Sequence, residues 1–315
     1  MSSVSDKIAD VLEPFRVYIL GCGSALPTLR HNASSQIVEV REKVFMLDCA
    51  EGTQMQLRRS RVRFNKLSHV FITHLHGDHC FGLIGMISTF GLLGRTATLH
   101  VHAPEALGPI LKGQIAFFTH DLGFEVEFHP VDTTQPSVAY EDRSVIVETI
   151  PLQHRMPTCG YLIREKAGLP HIRREMIDFY QIPISQINNI KNGSDWTTPE
   201  GEVIPYSRLV KPADPVRSYA YCSDTRYIPT LYRQLTGVST LYHESTYGED
   251  HLQNAEKYCH STARQAAMVA RDAGVGKLLL GHYSSRYEDE NVLLKEAQEV
   301  FKNTFLTNEM DVIDV

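Results

Sequence analysis

A run of metal-ligand side chains, Thr73-His74-Leu75-His76-Gly77-Asp78-His79, follows directly on the apolar stretch Val70-Phe71-Ile72. In extended chain, residues two apart point to the same side, so His74 and His76 can share one cation. Gly77 permits a sharp turn. Asp78 and His79 then face a second direction and can hold a second cation close by. Such a density of ligand-type side chains after a strand is the signature of a metal site rather than of a solvated strand end. It also constrains the fold. This segment alone cannot close two sites, so distant parts of the chain must return to it with further ligands.

The candidates for that return are His154, Asp224 and His282. Each stands where an apolar strand is predicted to end: His154 after Pro151, Asp224 after 218–223, His282 after Leu278-Leu279-Leu280-Gly281. Loops at strand ends are where α/β sheets build their sites. The same rhythm runs through most of the chain. Strands are predicted over 15–20, 35–40, 44–49, 70–73, 98–102, 124–131, 144–150 and 161–164, with an apolar helix over 81–93. Residues 165–217 break the rhythm with six prolines, Asn-Asn and Asn-Gly, and predict one helix over 173–180 among turns. This stretch is expected to be an inserted arm. Strands at 218–223, 240–243 and 277–281 then alternate with helices at 228–235, 261–273 and 289–305. The Ser261-Thr262 pair caps the second of these and Gly274 ends it. Two strand-rich halves of this kind predict one α/β domain over 1–315, with two mixed sheets packed face to face and helices outside.

Composition excludes several other classes. Of 315 residues, 43% are hydrophobic and 22% charged, which predicts a globular chain. No segment approaches the roughly 20 apolar residues of a membrane helix, and the first residues carry no apolar leader. Six cysteines show no Cys-x-x-Cys spacing, so reduced thiols in the cytoplasm are expected. A formal charge of −6 argues against a bulk polyanion binder. Locally, Arg58, Arg59, Arg61, Arg63 and Lys66 make a basic run with no acid, suited either to RNA phosphates or to a solvated helix face.

These residues carry a resemblance to the metallo-β-lactamase superfamily, through His-x-His-x-Asp-His followed by a lone His, a lone Asp and a final Gly-His. More narrowly, the chain resembles the ribonuclease Z family, endonucleases that trim the 3′ trailer of precursor transfer RNA. The matching pieces are Leu20 to Thr28, Asn32 to Ser35, Leu47-Asp48-Cys49-Ala50-Glu51-Gly52-Thr53-Gln54, Phe71 to His79, Ser223-Asp224-Thr225, His243-Glu244-Ser245-Thr246, His260-Ser261-Thr262 and Gly281-His282. The resemblance implies an αβ/βα sandwich. It implies two zinc ions, one held by His74, His76 and His154 and the other by Asp78, His79 and His282, with Asp224 between them. Asp78 is then also a candidate general base. His260, oriented by Glu244, is the candidate donor to the leaving oxygen. Asp48 and Thr53 are expected as braces under the histidine loop, and residues 27–32 as part of the cleft wall. A homodimer whose arms serve each other's sites is implied as well.

The arm departs from the family pattern. It lacks a Gly-Pro pair, and from 164 to 217 its eight Lys and Arg nearly balance seven Asp and Glu. His31 and Ala50 replace the usual Arg and Gly. A small-molecule phosphodiesterase on the same scaffold is the nearest alternative. A non-catalytic binder and a di-iron oxidoreductase are more distant ones.

Overall fold

The computed structural model describes residues 13–26, 28–119 and 121–315. Pro27 of the expected cleft wall and the N-terminal run read for a leader lie outside the described residues. The first half of the chain forms β1 (Phe15–Gly21), β2 (Ser35–Val40), β3 (Lys43–Cys49), β4 (Leu67–Phe71), β5 (Leu99–Pro104) and β6 (Val126–Val131). There follow β7 (Val138–Glu141), β8 (Val145–Pro151) and β9 (Cys159–Glu165). Four two-residue strands come next: β10 (His171–Ile172), β11 (Trp196–Thr197), β12 (Val203–Ile204) and β13 (Val210–Lys211). The last strands are β14 (Ser218–Cys222), β15 (Thr240–Glu244), β16 (Lys277–Gly281), β17 (Thr304–Leu306) and β18 (Val312–Asp314).

Two seven-stranded sheets result, ordered β18-β1-β2-β3-β4-β5-β6 and β17-β16-β15-β14-β9-β8-β7. In the first, β3 to β6 run parallel, so their C-terminal ends lie along one rim. In the second, β14 to β17 do the same. Alternation sets the two faces of the first sheet. Val17, Ile19, Val38, Phe45, Leu47 and Phe71 join the core shared with the second sheet. Tyr18, Ile37, Met46, Val70 and Val101 pack the other way, against the helices Leu83–Leu92 and Leu107–Phe118. β14 and β15 are buried on both faces, as expected of parallel strands covered on each side. The fold is the αβ/βα sandwich that the sequence predicts.

The helix Ala263–Ala273 carries the capping box its sequence promises: Thr262 accepts from the Gln265 backbone, and the Gln265 side chain accepts from the Thr262 N–H. Gly274 ends it at φ 61°. Elsewhere the helical reading needs correction. The helix predicted over 289–305 spans only Asn291–Gln298, because 304–306 pair beside β16 as the edge strand β17. The helix Leu107–Phe118 went unread, although Leu107, Leu111 and Ile115 recur at the right interval.

Residues Glu165–Val216 form a separate compact unit. It has its own small core of Ile182, Ile190, Ile204, Leu209 and Val210. Besides the predicted helix, seen at Arg174–Phe179, it holds a second at Ile184–Lys191 where turns were expected. Ile184, Ile187 and Ile190 recur at helical spacing there, and the Asn-Asn pair masked them. Among the described residues no helix is long and apolar enough to cross a membrane.

Candidate metal centre

The predicted ligands converge at the strand C-termini. His74 to His79 follow β4, His154 follows β8, Asp224 follows β14 and His282 follows β16. Asp48, Asp224 and His282 adopt left-handed backbone, at φ 55°, 55° and 59°. Such a conformation costs roughly 1–3 kcal/mol in a non-glycine residue and clusters where function requires it. Gly77 does not have positive φ. It opens the short helix Gly77–Cys80, and a Cβ there would meet the Phe81 ring at 2.4 Å. Gly82 is the tighter requirement. Its Cβ would stand 2.0 Å from the Ala50 carbonyl oxygen, so only glycine lets the histidine loop seat on the turn after β3.

Three imidazoles face one point. His74 Nε2 lies 3.0 Å from His76 Nδ1, which lies 3.3 Å from His154 Nε2. The other nitrogens of two of these rings are engaged. His154 Nδ1 is 3.0 Å from the Cys259 carbonyl, and His74 Nδ1 is 3.0 Å from the Thr73 hydroxyl, which itself donates to Asp48. These contacts keep the ring protons on Nδ1 and leave Nε2 as a lone pair. Burial lowers His154 and His76 and holds His74 well below the usual imidazole range, so the rings are neutral. One proton on His76 cannot satisfy two facing acceptors. A cation can.

A second set lies beside it. His79 Nε2 and His282 Nε2 are buried without a hydrogen-bond partner. Each nonetheless lies close to Asp224 Oδ2, at 2.9 and 3.1 Å, and Asp78 Oδ2 is 3.4 Å from His79 Nε2. Contacts this short that are not aligned as hydrogen bonds mean that the atoms aim at a common centre. Asp224 Oδ1 faces the first set, 3.9 Å from His74 Nε2 and 3.7 Å from His154 Nε2. One carboxylate thus has an oxygen toward each cluster. His74, His76, His154 and Asp224 could hold one cation, and Asp78, His79 and His282 another. Burial opposes charge on His79, but Asp224 and Asp48 outweigh it and raise the ring well above its usual range. A cation entering there would therefore release a proton from His79.

A layer of fixed acceptors sets these tautomers. Asp48 is fully buried and accepts from the Thr73 N–H at 2.8 Å, His79 Nδ1 at 2.7 Å and the Tyr221 hydroxyl at 3.0 Å. The brace expected of Asp48 thus acts on His79. Thr53 does not share it: its hydroxyl is buried without a partner at the start of a helix. Donors meet both oxygens of Asp48, so in Asp48→Asn either orientation of the amide sets N–H against a donor. We expect that variant to bind zinc about 10–100-fold more weakly in chelator competition. Unchanged affinity would show that the His79 tautomer is fixed by something else.

His260 and Glu244 meet as well. His260 Nδ1 is 2.9 Å from Glu244 Oε1 and 3.9 Å from Asp224 Oδ1. Glu244 is fully buried, and it also accepts from the backbone N–H groups of Thr225 and Ser261 and from the Thr246 hydroxyl. Thr246 in turn accepts from His282 Nδ1 at 2.8 Å, which frees His282 Nε2. Sequence reasoning missed the Thr73 and Thr246 relays, because the direction of a hydroxyl's hydrogen bond is set only by its neighbours. Burial disfavours charge on His260, yet Glu244 and Asp224 raise it to about 9. Burial also opposes charge on Asp78, but His282 and His79 hold it well below the usual carboxylate range. An acid that strong is a ligand first and a weak base.

His76, Asp78, His154, Asp224, His260 and His282 border a cleft of about 260 Å³ that also exposes Arg155, Tyr247 and Tyr258. Ser24, Ala25 and Leu26 line it. The following loop turns elsewhere: Arg30 binds Glu290 at 2.6 Å and His31 binds Glu309 at 3.0 Å.

Comparison with known proteins agrees with this architecture. Ribonuclease Z of Bacteroides fragilis is 59% identical over 298 residues, covering 95% of this chain and 98% of that protein. The crystal structure of the short form of human tRNase Z aligns with TM-score 0.68 at 21% identity, over 95% of this chain and 98% of its own. A metallo-β-lactamase fold protein of Bacillus subtilis aligns with TM-score 0.67 at 18% identity, over 96% of this chain and 100% of its own. The family model of the anti-Pycsar protein Apyc1 matches residues 15–166, just under half of the chain.

Proposed function

The chain belongs to the ribonuclease Z family, and from that premise we propose that it removes the 3′ trailer of precursor transfer RNA with two zinc ions in the paired clusters. The observation that carries the reading is the set of lone pairs turned inward on both sides of one shared carboxylate, Asp224. His74, His76 and His154 would hold the first ion, Asp78, His79 and His282 the second, and Asp224 would serve both. Cations bound there supply Lewis acidity, acidifying a water and offsetting charge on the phosphoryl oxygens.

The chain's own groups do the rest. Asp78 lies on the cleft wall as an anionic acceptor that orients the attacking water. His260, charged at neutral pH and tied through Nδ1 to Glu244, offers its other nitrogen to the departing ribose 3′-oxygen. Protonation there leaves a 3′-hydroxyl on the transfer RNA. The unit Glu165–Val216 is an exosite for the RNA, in a cytoplasmic homodimer whose arms serve each other's sites. That assembly is what the resemblance in the sequence implies, and the unit's own core supports an arm that holds its shape.

The test is cleavage of a precursor transfer RNA beside bis(p-nitrophenyl) phosphate. We expect release of an intact trailer, abolished by chelation and restored by zinc. Turnover of the small ester alone would replace the RNA reading with a small-molecule phosphodiesterase. Arg58, Arg59, Arg61, Arg63 and Lys66 are all exposed around the end of the helix Thr53–Ser60. Changing Arg58, Arg59 and Arg61 to Ala should flatten the salt dependence of RNA binding by about one logarithmic unit of slope for each phosphate no longer neutralised. An unaltered slope would make the run an ordinary solvated helix end.

A further inference from the structure

Four histidines stand on one face of three neighbouring strands, away from the centre described above. β4 carries His69, β5 carries His100 and His102, and β6 carries His129 with Glu127. Parallel register sets His69 opposite His100, His100 opposite Glu127 and His102 opposite His129. The intervening Leu99, Val101 and Phe128 pack under the outer helices, so all five polar side chains share the inner face of the sheet. Elsewhere that face presents Val, Ile, Leu and Phe. Shape alone does not call for imidazoles here.

Their nitrogens are arranged as ligands are. His100 Nδ1 and His129 Nε2 are 3.0 Å apart, a hydrogen-bond distance that an entering cation would widen by a few tenths of an ångström, and the Glu127 carboxylate reaches 3.4 Å from the first and 3.7 Å from the second. Tetrahedral ligands about 2.0–2.2 Å from zinc stand roughly 3.3–3.6 Å from one another. The geometry points to a separate metal site at this edge, taking a divalent cation of the zinc class through His100, Glu127 and His129, with solvent completing the shell. All three are partly exposed, so an ion can enter and a water can occupy the remaining position. Behind them His69 and His102 form a supporting pair, Nδ1 to Nε2 at 3.0 Å. The His69 ring stacks on His100 at 4.6 Å, and the His102 ring on His129 at 4.6 Å. Stacking fixes the orientation of both liganding rings in advance. His102 Nδ1 is buried without a partner, a polar atom that packing alone leaves unexplained. The site joins the edge strand β6 to β5. It lies up the sheet from the catalytic rim, His69 being roughly 16 Å of extended chain from His74 at about 3.3 Å per residue.

The test counts zinc after equilibrium dialysis of the full chain against buffered micromolar zinc, for the unaltered protein, His129→Ala and Glu127→Gln. We expect each variant to hold one equivalent less than the unaltered protein while cleaving RNA at the same rate. Copper(II) added to protein whose catalytic clusters are already filled with zinc should show spectroscopic coupling to two nitrogens, lost in His129→Ala. Equal zinc counts in all three proteins would overturn the site. If His129→Ala does not fold, Glu127→Gln, changed at a half-exposed side chain, still decides.

Discussion

Asp224→Ala should lower kcat/KM for RNA cleavage by about three to four powers of ten and bring the zinc content below two per chain. The carboxylate touches both clusters, through Oδ1 toward His74 and His154 and through Oδ2 toward His79 and His282. Its loss would remove an anion from both proposed cations at once, and each such cation would contribute several kcal/mol of transition-state stabilisation, at about 1.4 kcal/mol per tenfold in rate. Burial opposes its charge, but His282, His79 and His74 hold it well below the usual carboxylate range, so it is anionic at every working pH. His154→Ala is the informative partner. It touches only the first cluster, and should cost one equivalent of zinc while the second is retained. Zinc counted by emission spectroscopy separates the two. Two zinc ions and near-normal turnover in Asp224→Ala would dispose of the bridging role.

His260→Ala should slow kcat by about 10²–10⁴-fold with zinc content unchanged, the range of a lost general acid. The pH profile identifies the role. A ring raised to about 9 stays protonated through neutral pH and loses its proton as pH rises through that region, so the rate should fall on an alkaline limb. Cations in the two clusters would offset part of the Asp224 charge and set the limb of the loaded enzyme somewhat lower. Glu244→Gln removes the nearest anion, 2.9 Å from Nδ1, and should move the limb down toward the ordinary imidazole value of about 6.5. Identical limbs in the unaltered protein and Glu244→Gln would assign the titration to another group. Loss of zinc in His260→Ala would make the residue structural.

The difference between these two predictions follows what was legible in the chain. Ligand types and strand ends are local properties. His74 to His79 follow an apolar strand, and the apolar runs before Asp224 and His282 ended where predicted to within a residue or two. The arm was less legible, because the Ile187 and Ile190 that pack into its small core stand among Asn and Pro residues that masked them. Helix 289–305 was overextended because amphipathic spacing cannot register that a neighbouring strand needs an edge partner at Thr304–Leu306.

By itself the sequence determined the sandwich and the seven ligand candidates, since alternation, turn chemistry and metal-ligand spacing are written in neighbouring residues. Only the tertiary structure decided which nitrogen of each ring is a lone pair, through Asp48, Thr73, Thr246 and the Cys259 carbonyl. It alone also aligned His69, His100, His102 and His129 on one face. Tautomers and strand register depend on partners far away in the chain, and those distances exist only once the sheets have formed.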